Sequence, residues 1–138
     1  MVFIKDESGY FKAPLDKVWK LVQLHSTELT KIHKGVKNPI TETLSETSEI
    51  TTWDDENGGK IKARLEVFAP IGLAIEFLEG PFAGSKFFNY YTPRGDTTGI
   101  TVVGEFKSPS MSDEELKEAV TAFLEQGFNE DNAYLEKI

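Results

Sequence analysis

His25 and His33 are the only histidines in the chain, and histidine is the side chain best suited to moving a proton near neutral pH. His33 stands at the expected end of a short helix, where it is either a proton shuttle or a cap for the last helical carbonyls; capping is the favoured reading. His25 offers less. Asp131 falls on the apolar side of the expected last helix, where a carboxylate without a partner is costly. Its plainer role is an acid in the first turn after a cap at Asn129. Three more polar residues share strand faces with apolar ones: Asn89 and Tyr91 with Phe87, and Glu42 with Ile40 and Leu44. Such groups must be hydrogen-bonded, solvated in a cavity or neutralised. Asn89, Tyr91 and Glu42 are therefore candidates to orient a bound molecule. Glu42 is the weakest, because an edge position for its strand would leave it in solvent.

Other chemistries find no support. Cysteine is absent, which removes disulfides, thiolate nucleophiles, zinc–thiolate sites and iron–sulfur clusters. There is no nucleophile-elbow serine, P-loop or dinucleotide fingerprint. The net charge of −8 argues against nucleic acid, whose phosphates require a basic face, and against charge-driven docking on anionic lipid. Met1-Val2-Phe3-Ile4 runs at once into Lys5-Asp6-Glu7, which is not a signal-peptide pattern, and no apolar run reaches membrane-spanning length. A cytoplasmic protein without an integral membrane segment is expected. At 138 residues it fits a single domain, 1–138, with a sizeable core.

The elements that must position these residues follow from periodicity. Residues 2–11 read as a first strand. Pro14 opens a helix on which Leu15, Val18, Trp19 and Val22 recur at helical spacing. Ser26 can cap a second short helix carrying Leu29, Ile32 and His33, with Gly35 as its stop. The middle of the chain is hairpins: 40–45, 49–53, 60–68, 73–79, 85–91 and 100–106. Residues 60–68 alternate most clearly, with Ile61, Ala63, Leu65 and Val67 on one face and Lys60, Lys62, Arg64 and Glu66 on the other. Ser112-Asp113-Glu114-Glu115 matches a capping box, and Leu116, Val120 and Phe123 begin the apolar stripe of a long helix. Gly127 is a candidate kink.

Two segments carry a family resemblance. Ala13-Pro14-Leu15-Asp16-Lys17-Val18-Trp19 is similar to the first helix of the START-like superfamily, the helix-grip or SRPBCC fold. Glu79-Gly80-Pro81-Phe82 before a Phe-rich strand is similar to its middle hairpin, particularly in polyketide cyclase/dehydrase-like members. The resemblance spans nearly the whole chain. It implies an α+β fold: a curved antiparallel sheet of about six or seven strands wrapped on a C-terminal helix at 112–136, with two short helices at 14–35. Members bind lipids, hormones or polyketides, and some catalyse. The implied function is binding of a small hydrophobic or amphipathic ligand in a cavity between sheet and helix. Asn89, Tyr91, Glu42, Phe87, Val102, Phe106, Val120, Phe123 and His33 are the expected lining. The alternative is a cyclase- or dehydratase-like enzyme in which His33, Glu42 or Tyr91 moves a proton.

A narrower likeness is to the catalytic domains of Rieske-type oxygenases. Phe128-Asn129-Glu130-Asp131 with Leu135-Glu136 is similar to their final helix, whose Asp is an iron ligand. Those domains also use two histidines spaced by five, and here that spacing joins Glu28 to His33, so the ligand set is incomplete. The likeness therefore implies no oxygenase activity. At most Glu28, His33 and Asp131 would form a repurposed divalent-metal site, which a five-residue spacing, about 140° around a regular helix, opposes. No cofactor and no metal ligand is assigned, and the oligomeric state stays open.

Overall fold

Alternation and capping dictate most of the architecture. In the computed structural model, which describes Met1–Ile138, β1 (Val2–Phe11) is followed by α1 (Leu15–Leu24) and α2 (Leu29–Ile32). Six strands come next: β2 (Lys37–Thr43), β3 (Ser48–Asp54), β4 (Lys60–Phe68), β5 (Gly72–Glu79), β6 (Lys86–Arg94) and β7 (Thr97–Phe106). The helix α3 (Asp113–Leu135) ends the chain. The strands form one antiparallel sheet in the order β1-β7-β6-β5-β4-β3-β2. No helix is long and apolar enough to cross a membrane.

The strand order explains where the histidines go. β1 and β2 occupy opposite edges of the sheet, so the chain between them must travel its full width. That path is α1 and α2, and it lays the histidine-bearing segment across one end of the sheet and against α3. Val18 and Leu21 of α1 are buried, as the helical spacing requires.

One face of the sheet packs on α3. Its register is read from the pairs Thr51↔Ala63, Ala63↔Phe77, Leu73↔Asn89, Asn89↔Val102 and Phe87↔Gly104. The apolar members of this face join Leu116, Val120 and Leu124 of α3 in one core. Burying such side chains contributes about 1.5–3 kcal/mol each. Between β5 and β6, Phe82 meets Phe77 and Phe123, with ring centroids 5.4–5.8 Å apart, and closes the grip at that end.

α3 runs unbroken through Gly127. Its apolar stripe continues past Leu124 to Asp131 and Leu135 and gives packing along the whole helix. The capping box is formed: Ser112 Oγ accepts from Glu115 N at 3.2 Å, and Glu115 Oε1 accepts from Ser112 N at 3.1 Å. These bonds hold the Glu115 carboxyl below the usual carboxylate range. Ser112→Ala is expected to lower stability by about 1 kcal/mol, read from the urea midpoint at unchanged slope. No loss of stability would mean that the cap contributes nothing.

Candidate functional site

Three side chains from separate elements meet at one point. His25 follows the last residue of α1, His33 follows the last residue of α2, and Asp131 lies on the buried stripe of α3. His25 Nε2 and His33 Nε2 are 3.1 Å apart, and each is 3.1 Å from Asp131 Oδ1. The three atoms mark an equilateral triangle.

The outer ring nitrogens are also engaged. His25 Nδ1 lies 2.8 Å from the Leu21 carbonyl oxygen. His33 Nδ1 lies 2.9 Å from Glu130 Oε1. A carbonyl and a carboxylate only accept, so both Nδ1 atoms donate, and both Nε2 atoms face the triangle. Glu130 is itself steadied by the Lys34 backbone N–H at 3.3 Å. The neighbouring Asn132 clamps α3 to the end of β1: its Oδ1 accepts from Lys12 N at 2.8 Å, and its Nδ2 donates to the Tyr10 carbonyl at 3.0 Å. Asp131 is thus fixed from both sides along its helix.

The electrostatics are those of a shielded charge cluster. Burial works against charging His33, but hydrogen bonds to Asp131 and Glu130 and the charges of both acids outweigh it, and its pKa stands above the ordinary histidine value. Burial would raise the Asp131 pKa, but its hydrogen bonds to His25 and His33 outweigh that and hold it below the usual carboxylate range. The Asp131 side chain is only 11% exposed, against 23% for His25 and 19% for His33. Burial, and then the charge of the Asp131 carboxylate, push the Tyr91 hydroxyl well above the ordinary phenol value.

The cluster corrects several expectations. Glu28 is not part of it: its carboxylate pairs with Lys31 at 2.8 Å. His25, eight residues before His33, takes the place assigned to Glu28, so two histidines and one carboxylate do meet. The mismatch of a five-residue spacing on one helix disappears, because the two histidines follow two different helices. Asp131 is not a first-turn acid after Asn129 but a buried residue deep in α3. Its position on the stripe that carries Leu116, Val120 and Leu124 was the available signal. Ser26 caps no helix; its hydroxyl donates to Glu49 Oε2 at 2.9 Å.

Among the other expected residues, Asn89, Tyr91, Phe87, Val102, Phe106 and Val120 are buried on the side where sheet and α3 meet. Phe123 is 39% exposed and touches the interior through Phe77 and Phe82. Glu42 is a correction. Thr41 pairs with the inward Thr51, which turns Ile40 and Glu42 to the opposite face, where Glu42 is exposed and Ile40 is 71% exposed.

Two features of the interior stand out. The side chains of Ile61, Leu65, Val67 and Ile75 point the same way as buried Ala63 and Phe77, yet remain half-buried, leaving an apolar strip of β4 and β5 incompletely covered. Two buried polar atoms, Asn89 Oδ1 and Trp19 Nε1, have no protein hydrogen-bond partner. Trp19 packs edge-on against Tyr91 at 5.5 Å, which in turn packs against Phe11 at 5.9 Å. A cleft of about 520 Å³ lies elsewhere, between α2 and α3, and reaches Glu130 from outside.

No protein-family model matches the chain, and no curated protein matches it in sequence. Solved structures do match. A Streptomyces aromatase/cyclase superposes with a TM-score of 0.76 at 13% identity, over 99% of this chain and 94% of the other. Norcoclaurine synthase from Thalictrum flavum, in complex with dopamine and hydroxybenzaldehyde, gives 0.73 at 14%, over 99% and 87%. Ara h 8.0201 gives 0.72 at 12%, over 99% of each chain. The chain has the helix-grip, START-like fold that these proteins share.

Proposed function

We propose that this protein binds a small hydrophobic or amphipathic molecule between the sheet and α3. The observation that carries the reading is the pairing of an incompletely covered apolar strip with two unpartnered buried polar atoms, Asn89 Oδ1 and Trp19 Nε1. A binding site is built of those parts: apolar surface for affinity and a few polar atoms for orientation. The strip offers affinity at about 25 cal/mol per Å² covered, before ordering costs. Asn89 Oδ1 suits a ligand hydroxyl or N–H. Trp19 Nε1 suits a ligand oxygen. Phe87, Val102, Phe106 and Val120 form the buried floor, with Tyr91 beside Asn89 and Phe123 at the margin.

Asn89→Leu separates this reading from a packing role. An unpartnered buried amide oxygen destabilises the free protein, so its removal is expected to raise unfolding stability by about 1 kcal/mol. The same change is expected to weaken a hydroxylated aromatic probe by about tenfold, followed through Trp19 and Trp53 fluorescence. A loss of stability together with unchanged probe binding would overturn the role given to Asn89.

One observation favours a second reading, a cyclase- or dehydratase-like enzyme. His25, His33 and Asp131 meet at one point, with Asp131 on the buried stripe of α3, so acid–base groups stand beside the interior. In that case a hydroxylated or carbonyl-bearing chain folded against the strip would exchange a proton with His33. Glu42, exposed on the opposite face, takes no part.

A further inference from the structure

We propose that His25 Nε2, His33 Nε2 and Asp131 Oδ1 bind one divalent first-row transition-metal ion, as one face of an octahedron. This is independent of the apolar ligand proposed above and rests on two observations. The first is the direction of the donors. Leu21 O and Glu130 Oε1 hold the two Nδ1 protons, so each neutral imidazole turns a bare Nε2 lone pair into the triangle. Asp131 Oδ1 adds a third acceptor. With both rings neutral the three lone pairs crowd at 3.1 Å, and the crowding is relieved either by a proton on Nε2, which the hydrogen bonds to Asp131 then use, or by a shared cation that displaces that proton. The same outer contacts, a backbone carbonyl on one ring and a carboxylate on the other, are those that orient and strengthen histidine ligands in metal sites.

The second observation is the size of the triangle. With metal–ligand bonds of about 2.1 Å, edges of 3.1 Å subtend about 95° at the metal. A tetrahedral angle would need edges of about 3.4 Å at the same bond length. The observed triangle therefore fits cis positions of an octahedron, and two imidazoles with one carboxylate and open positions opposite are a donor set that suits Fe(II), Mn(II) or Co(II). Three positions opposite the triangle remain for water or for oxygen donors of a small molecule. The partly exposed histidine rings leave a path for the ion to enter. Glu130 is a positioning residue: it touches His33 and not the metal.

The test uses full-length protein purified without an affinity tag and stripped with a chelator. Titration with Co(II) and with Mn(II) under reducing, oxygen-free conditions is expected to saturate at a single ion per chain. Bound Co(II) should give the weak visible bands of six-coordination, not the intense bands of a tetrahedral site. His25→Ala and His33→Ala, each checked for fold by circular dichroism, should lose saturable binding. Glu130→Gln should weaken it by about 10–100-fold. Glu28→Gln should leave it unchanged. Should the alanine variants fail to fold, Mn(II) broadening of the His25 and His33 ring resonances in the parent protein decides the matter. Absence of stoichiometric binding, binding that survives His25→Ala, broadening away from both histidines, or a tetrahedral Co(II) spectrum would each overturn the proposal.

Discussion

Phe106→Ala is expected to lower unfolding stability by about 3–5 kcal/mol. Phe106 is fully buried at the end of β7, and its ring stacks on Phe87 with centroids 4.9 Å apart. Phe87 stacks in turn on Phe77, so three strands contribute one continuous aromatic layer beneath α3. Removing the Phe106 ring takes away its transfer free energy and leaves a void that β-sheet backbone cannot collapse to fill. A domain of this size has about 5–15 kcal/mol of net stability, so the change removes a large share of it. A urea midpoint corresponding to a loss below about 1 kcal/mol would contradict the described interior.

Gly104→Ala is expected to be comparably damaging for the opposite reason. Gly104 pairs with Phe87 across β6 and β7. A Cβ at this position would land on the Lys86 carbonyl oxygen and on Phe87 Cα and Cβ, which are backbone or directly attached to it. Neither can swing aside as the tip of a long side chain would. Glycine in a strand often marks such a close approach. The cost should reach about 3 kcal/mol or more, with the strand pair forced apart beside the aromatic layer. Soluble yield and the urea midpoint measure it. An alanine variant as stable as the parent would mean that β6 and β7 are not in this register.

The two variants also mark what the sequence could and could not convey. β1 is legible from its β-forming residues mixed with charges, and the bounds of β4 and the start of α3 are legible because strict alternation and a capping box are local signals. The inward face of β4 is legible for the same reason. The face of β2 is not. Ile40, Glu42 and Leu44 mix apolar and charged residues, and an irregularity in pairing between Lys37 and Ile40, with Asn38 at φ 50°, resets the phase. Pairing with β3 then turns Glu42 to solvent. The His25–His33–Asp131 triangle was half legible. Asp131 interrupts an apolar helical stripe, and a buried acid demands a partner. Which histidine meets it depends on how the chain turns between α1 and α2, over Leu24 to Leu29, and no periodic signal encodes that turn. A fixed spacing on one helix led to Glu28, while the fold joins residues that follow two helices.

Ligand binding in the interior is tested most directly by native mass spectrometry of the untagged protein, before and after extraction with organic solvent. The expected spectrum carries an adduct of a small organic molecule that denaturation releases, and the extracted protein regains an adduct when offered hydroxylated aromatic or fatty-acid-like probes. A bare polypeptide mass before extraction, with no adduct from any such probe afterwards, would contradict the reading of the sheet–helix interior as a binding site.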